Sequence, residues 1–226
     1  MKARMIHSEV HLVGVGYDRD TWYLPAMDKS QNWLNVGPTA PRNYTCGFSD
    51  CGREVSSEKG WYHHNPAGVD GTIQICPVCK GPTFFDVSLN TQFPGVSIGN
   101  RVGELPSEVK IIWSEIRSAT SHGSYTSAVL LGRKLLMHIA VNAGATAGES
   151  FVSYVNFLVA NHYAPPKSTD WIDKIRSHGN EANHEIVLKS REDAEEIMTF
   201  LEMLLKFIYE FPARAGIKTP AVPVKG

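Results

Sequence analysis

The sequence predicts an α+β protein in which a small β-rich unit precedes an all-α helical bundle. In the first part, four cysteines form two close pairs, separated by β-prone or turn-like stretches such as 60–62 and 72–75. The next segment, 87–105, contains one proline and three glycines and has no sustained periodicity. From residue 106 onward apolar side chains recur at helical spacing, and a chain of 226 residues has room for two domains.

The same change of pattern sets the domain boundaries. They are an N-terminal extension at 1–43, a cysteine-containing β-ribbon at 44–93, a linker at 94–105, a helical bundle at 106–211 and a tail at 212–226. In the extension, an alternating stretch around Val10 to Val15 predicts a strand or two. The tail contains prolines and glycines without apolar periodicity, and we expect it to be disordered.

Five helices are expected in the bundle. The first four are predicted over 107–120, 124–143, 149–161 and from 168 to at least 177. The second of these is almost wholly apolar, which predicts that it forms the buried centre. The last helix begins at Ser190, where Asp193 completes a start that resembles a capping box, and it should end before Pro212.

Charge and hydropathy exclude some classes of function. The formal net charge of −1 argues against the basic surface by which proteins neutralise many phosphates, and leaves only a small local patch for nucleic acid. No stretch reaches the ~18–20 apolar residues of a membrane span, and the first residues lack the apolar run of a signal peptide. We therefore expect a cytoplasmic protein without membrane association.

The two cysteine pairs predict one metal site. Their spacing is Cys46-x4-Cys51 and Cys76-x2-Cys79, and a hairpin between the pairs would bring four thiols together. Four thiolates in a reducing compartment are typical of a structural Zn²⁺ ion whose coordination shell is closed to catalytic water. A zinc ribbon of this kind binds nucleic acid, docks to another protein or only stabilises the fold.

Three alternatives stay open for this region. The thiols could be unrelated buried side chains. A redox role for Cys76 and Cys79 is disfavoured because Gly-Pro follows at 81–82, whereas a redox pair of this spacing begins a helix. His63 or His64 could replace one cysteine as a ligand, although two solvated or stacking loop histidines are the simpler interpretation.

A polar cluster at 175–185 is the second candidate site. If its helix continues through Gly179, three side chains spaced by four residues share one face: Arg176, Asn180 and His184. The guanidinium of Arg176 could grip a phosphate while the imidazole of His184 moves a proton, with Asn180 in support. Alternatively, Gly179 ends the helix, an asparagine caps the next turn and His184 bridges two helices.

The order of these features resembles the domain-of-unknown-function family 4145, over residues 105–211. Its specific part is the Gly-Asn-x-Ala-x-His run that ends at His184, and Arg133 in the buried helix and the segment 123–125 before that helix also match. The resemblance implies a HEPN-like helical bundle, often a homodimer. It also implies a zinc ribbon in front and a place beside restriction or other phage-defence systems.

An activity is implied as well. Many HEPN proteins are metal-independent ribonucleases that use an Arg-x4-6-His motif at a dimer interface. In that scheme Arg176 stabilises the phosphate, and His184 acts as acid or base while the RNA 2′-hydroxyl attacks. Here seven residues separate the two, and Ser177 stands where Asn, Asp or His is commoner. The motif is therefore either a variant or a structural signature without catalysis.

These observations lead to one main hypothesis and two alternatives. We expect a zinc-binding HEPN-like module that binds RNA, another nucleic acid or a protein partner in a prokaryotic defence or stress context. The first alternative is a metal-independent HEPN-type RNA endonuclease. The second is a regulatory or antitoxin-like protein that docks through the zinc ribbon. Whether the chain is an enzyme stays open.

Overall fold

The computed structural model describes residues 33–164, 169–177 and 187–217. Within these residues a five-stranded antiparallel sheet comes first and the helices follow it. This order confirms the predicted α+β class, with a β-rich N-terminal part and a helical C-terminal part.

The sheet is a meander in which each strand pairs with its neighbours along the chain. Its strands are β1 (Trp33–Thr45), β2 (Glu54–Asn65), β3 (Gly68–Ile75), β4 (Pro82–Asp86) and β5 (Thr91–Phe93). Because β1 begins at Trp33, the sheet starts before residue 44, where the sequence pattern placed its beginning. One glycine and two prolines weaken the strand signal in β1, and the pairing with β2 shifts register on both sides of Pro38.

The helical part contains six described α-helices. They are α1 (Ser107–Ser121), α2 (Tyr125–Asn142), α3 (Phe151–Ala160), α4 (Thr169–Ser177), α5 (Arg191–Leu205) and α6 (Phe211–Arg214), with a π-helical segment (Lys206–Glu210) between the last two. The bounds of α1, α2 and α3 and the start of α5 confirm the predictions to within two residues. None of the described helices is both long and apolar enough to cross a membrane.

The last helical stretch extends further than predicted. Its start is as expected, because the Ser190 hydroxyl accepts a hydrogen bond from Asp193 N and the Asp193 carboxylate accepts one from Ser190 N. The expected end before Pro212 is wrong, since helical backbone continues to Arg214. Pro212 lies in the first turn of α6, where an N–H has no partner within that helix and its loss is tolerated. Residues 218–226 of the expected tail lie outside the described part.

The core of the helical part surrounds α2, which packs against α1, α3 and α5. Its largest fully buried side chains include Ile116, Leu136, Leu158 and Phe200. Gly132 of α2 faces α5 so closely that an added Cβ would lie 3.2 Å from Leu201 Cδ1. The apolar pattern of α2 therefore identified the centre of the bundle correctly.

Residues 94–105, which the sequence pattern assigned to a linker, contain no helix or strand but pack on the helices. Ile98 is buried in the helical core, and its N–H donates to Thr120 Oγ1 at 2.9 Å. The main-chain and side-chain nitrogens of Asn100 donate to the Glu202 carboxylate at 2.8 and 3.0 Å. The segment is thus a packed connection between the sheet and the bundle.

Candidate metal centre

The two cysteine pairs lie in two turns at the same end of the strands. Residues 46–52, the first knuckle, connect β1 to β2, and residues 76–81, the second knuckle, connect β3 to β4. In an antiparallel meander, every second connection lies at the same end of the strands. The pairing of β2 with β3, in which Gly60 lies opposite Gln74, sets the register that places the two knuckles side by side. The sheet topology therefore brings the four thiols together, as the hairpin between the pairs predicts.

The four sulfur atoms form a compact group, in which all Sγ atoms lie within 4.8 Å of one another. Cys46 Sγ is 3.7 Å from Cys79 Sγ, and Cys51 Sγ is 3.8 Å from Cys76 Sγ. Four ligands about 2.3 Å from a tetrahedral ion are separated by about 3.8 Å. The spacing of the sulfurs fits such an ion, and the cluster could hold one metal.

Main-chain hydrogen bonds fix the shape of both knuckles. In the first, Cys46 N donates to Arg53 O, and Cys51 N and Gly52 N both donate to Phe48 O. Gly52 takes a positive φ of 57°, which favours glycine. In the second knuckle Gly81 N donates to Cys79 Sγ at 3.4 Å.

The environment of the sulfurs favours a bound cation. Cys46, Cys51 and Cys76 are buried, whereas Cys79 is exposed. Burial raises the pKa of the Cys46 thiol. Burial also opposes ionisation of Cys76, but the N–H groups of Cys79 and Val78 outweigh it and lower the pKa of Cys76 to about 7. Four sulfurs this close cannot all be thiolates unless a cation offsets their mutual repulsion.

Neither His63 nor His64 belongs to the cluster, since the potential ligand group found among the described residues consists of the four cysteines. Both histidines lie on β2 and not in a loop, which corrects the simpler interpretation given above. His63 is buried, and its Nδ1 is hydrogen-bonded to the Asp70 carboxylate. His64 is exposed.

A buried arginine attaches the first knuckle to the helical part. Arg117 of α1 is only 4% exposed. Its Nη1 donates to the carbonyl of Ser49, and its Nε donates to the carbonyl of Gly99 at 3.1 Å. Ser114, one turn earlier on α1, donates to Asp50 at 3.1 Å. The knuckle therefore rests directly on α1.

A second set of contacts joins the first knuckle to residues 94–105. A Cβ added to Gly47 would lie 2.2 Å from the carbonyl oxygens of both Pro94 and Gly95, so only glycine fits there. Ser97 Oγ donates to Gly47 O at 3.2 Å, and Gly95 N donates to Ser121 O at 2.8 Å. The first knuckle, residues 94–105 and α1 thus form one packed unit.

Sequence reasoning missed Arg117. It falls on the buried face of α1, four residues after Trp113 and next to Ile116. A charged residue at an apolar position of a helix was the available signal, because a buried charge requires partners that fix its position.

Of the three side chains proposed for the second candidate site, Arg176, Asn180 and His184, the structure describes Arg176 alone. Arg176 lies in the last turn of α4, where its Nε donates to Asn156 Oδ1 at 2.9 Å and its Nη1 donates to Asp173 Oδ1 at 2.5 Å. Asn180 and His184 lie outside the described residues. Their convergence with Arg176 therefore stays a prediction.

Comparison with known proteins adds one finding. No curated protein and no solved structure matches this chain. The region that matches a family model starts within α1, so it covers most of the helical part and excludes the four cysteines. Residues 114–220 match the family model described as Domain of unknown function (DUF4145).

Proposed function

We propose that this chain is a zinc-stabilised binding module whose helical bundle is HEPN-like and which recognises nucleic acid or a protein partner. The observation that carries the proposal is the group of four cysteine sulfurs within 4.8 Å of one another, packed against α1. The match of residues 114–220 to DUF4145 supports the resemblance on which the HEPN-like assignment rests.

Zinc is the ion that this donor set favours. Four thiolates at tetrahedral spacing are the usual ligands of structural Zn²⁺, whereas magnesium and calcium prefer oxygen. Cys46, Cys51, Cys76 and Cys79 would hold the ion and fill its four positions. Because no position is left for water or substrate, the ion would stabilise the two knuckles and take no part in catalysis.

The biological setting of the proposal comes from the resemblance. A homodimer formed through the helical bundle, in the cytoplasm of a prokaryotic cell, would act within a defence or stress system. The net charge of −1 means that nucleic-acid binding would depend on a local basic patch and would not cover the whole surface. A regulatory or antitoxin-like protein that docks through the zinc ribbon is a variant of this proposal with a protein as partner.

A metal-independent ribonuclease is the second candidate, and one observation favours it. The Arg176 guanidinium is partly exposed and is oriented by two side chains, Asn156 and Asp173. An oriented guanidinium is suited to a phosphate. It precedes Asn180 and His184 in the sequence, and catalysis would require His184 to approach it.

The experiment combines zinc analysis, binding and cleavage. Purified chain should contain one zinc per protomer, and Cys76→Ser should lose it, whereas Val78→Ala in the same knuckle should keep it. Labelled mixed-sequence RNA and DNA are then titrated in fluorescence anisotropy. A chain that lacks zinc, or that holds zinc but binds neither nucleic acid nor any protein in a native pull-down from its source, would contradict the binding module.

The cleavage arm separates the two candidates. RNA is incubated briefly with excess EDTA, which suppresses contaminating metal nucleases, and wild type is compared with Arg176→Ala and His184→Ala after circular dichroism has confirmed folding. Cleavage by wild type that both variants lose would establish the ribonuclease. Intact RNA in all three samples would exclude it and leave the binding module.

A further inference from the structure

A cavity lies between the first knuckle, residues 94–105 and α1. Its volume is about 480 Å³. Three arginines from three different segments line it, namely Arg53, Arg101 and Arg117. The residues that line it include no aspartate or glutamate. We call it the arginine cleft.

The arginine cleft has no carboxylate in its lining, although Cys51 is part of that lining. Arg53 and Arg101 are exposed, and neither forms an ion pair within the described part of the chain. Burial lowers the pKa of Arg117, and the nearby charge of Arg101 lowers it further. Glu202 and Asp50 act in the opposite direction, but neither pairs directly with Arg117 among the described residues. An anion in the cleft would therefore be attracted by three guanidinium groups.

Arg117 is held in a fixed orientation. Its Nε and Nη1 are occupied by the carbonyls of Gly99 and Ser49, which leaves Nη2 as the remaining donor nitrogen. Nη2 lies on the side of Gly52, since a Cβ added there would be 2.9 Å from it. A guanidinium that is already oriented loses little side-chain entropy when it binds a ligand.

We propose that the arginine cleft binds a phosphate monoester, carried either by a free nucleotide or by the 5′ end of a nucleic-acid strand. The parallel N–H groups of a guanidinium match two oxygens of a phosphate. A phosphate monoester carries two negative charges and therefore complements three guanidinium groups better than a single carboxylate does. The volume of about 480 Å³ falls in the range of small-molecule sites, roughly 300–1,000 Å³. Asn100 also lines the cleft, with its side-chain nitrogen already donating to the Glu202 carboxylate.

This inference goes beyond the proposed function, because it holds whether the macromolecular partner is a nucleic acid or a protein. It does require the first knuckle to be formed, since Arg53 follows that knuckle directly and its carbonyl accepts from Cys46 N. Zinc content is therefore measured on every sample, so that a collapsed knuckle is distinguished from a lost anion site.

The test is isothermal titration of the zinc-loaded full chain with inorganic phosphate and with AMP at low ionic strength. The double variant Arg53→Gln/Arg101→Gln removes two exposed guanidinium groups without touching the buried Arg117. We expect it to weaken the Kd for AMP by at least about tenfold. Arg214→Gln, an exposed arginine on α6, makes the same chemical change outside the cleft and should leave the Kd within about twofold.

Two further ligands identify the source of the phosphate. A short oligonucleotide with a 5′-phosphate is compared with the same strand ending in a 5′-hydroxyl. Tighter binding of the phosphorylated strand than of AMP indicates a nucleic-acid end, and equal or weaker binding indicates a nucleotide. The proposal is overturned if neither phosphate, AMP nor the phosphorylated strand binds, or if the double variant and Arg214→Gln weaken binding equally.

Discussion

Arg117 of α1 donates a hydrogen bond to the main-chain carbonyl of Ser49, which lies between Cys46 and Cys51 of the first knuckle. The guanidinium therefore connects the first knuckle directly to the helical part. Because the same side chain also donates to Gly99 O, it holds the first knuckle, residues 94–105 and α1 in one arrangement.

Replacement of Arg117 by methionine should destabilise the protein substantially. The variant keeps most of the apolar stem but leaves the carbonyls of Ser49 and Gly99 without their donor, at a cost of about 2–4 kcal/mol. Urea unfolding at neutral pH measures the change. Lys110→Met, at an exposed position of the same helix, is the control and should change the free energy of unfolding by less than about 0.5 kcal/mol. Equal stability of the two variants would contradict the role given to Arg117.

Gly47→Ala should be among the most damaging single-methyl changes in the chain. The new Cβ would meet two main-chain carbonyl oxygens at 2.2 Å, and neither can move without displacing residues 94–95. We expect a loss of about 2 kcal/mol or more, together with weaker zinc retention. Gly103→Ala is the control, because its nearest neighbour is the Glu210 side chain at 3.7 Å. Thermal unfolding and zinc content of the two variants provide the measurement.

Sequence patterns predicted those parts of the fold that depend on interactions between residues close together in the chain. The Ser190 capping box and the apolar α2 were identified because their signals lie within a few residues of one another. The cysteine cluster was predicted because the short spacing within each cysteine pair is visible in the sequence. The helical continuation past Pro212 depends on an irregular π-helical segment before it, for which the sequence carries no simple signal.

Long-range contacts were beyond sequence reasoning for a different physical reason. Arg117 acquires its role only because residues 49 and 99 are brought beside α1 by the sheet and the connecting segment. The arginine cleft likewise combines residues about fifty positions apart in the chain, and no periodicity relates them. Proximity of this kind follows from topology, and a single sequence does not encode it as a pattern.

Glu202 should make the stability of the protein depend on acid pH. Although burial opposes its ionisation, hydrogen bonds from Lys206 and Asn100 hold the pKa of Glu202 below its usual range. A depressed folded-state pKa contributes stability above the unfolded pKa of about 4.3, and that contribution is lost as pH falls through the folded pKa. Glu202→Gln should therefore cost about 1–2 kcal/mol at pH 7 and progressively less below pH 4.

Urea unfolding of wild type and Glu202→Gln at a series of pH values checks this expectation. Glu58→Gln, an exposed position on β2, is the control and should show a small difference that hardly varies with pH. A constant difference between wild type and Glu202→Gln from pH 7 to pH 3 would show that the carboxylate contributes nothing through its charge.

Removal of the metal should unfold the sheet before the helices. The core of the sheet is small, with Tyr44 and Phe85 packed around buried cysteines, and we expect it to depend on a bound ion for much of its stability. Chelation under reducing conditions, or Cys76→Ser, should lower the free energy of unfolding by about 3 kcal/mol or more. Hydrogen exchange should accelerate first in β2, β3 and β4, while α2 and α5, which have their own core, remain protected. Val78→Ala keeps all four cysteines and should behave as wild type. Zinc loss without faster hydrogen exchange in the sheet would show that the ion does not stabilise the sheet.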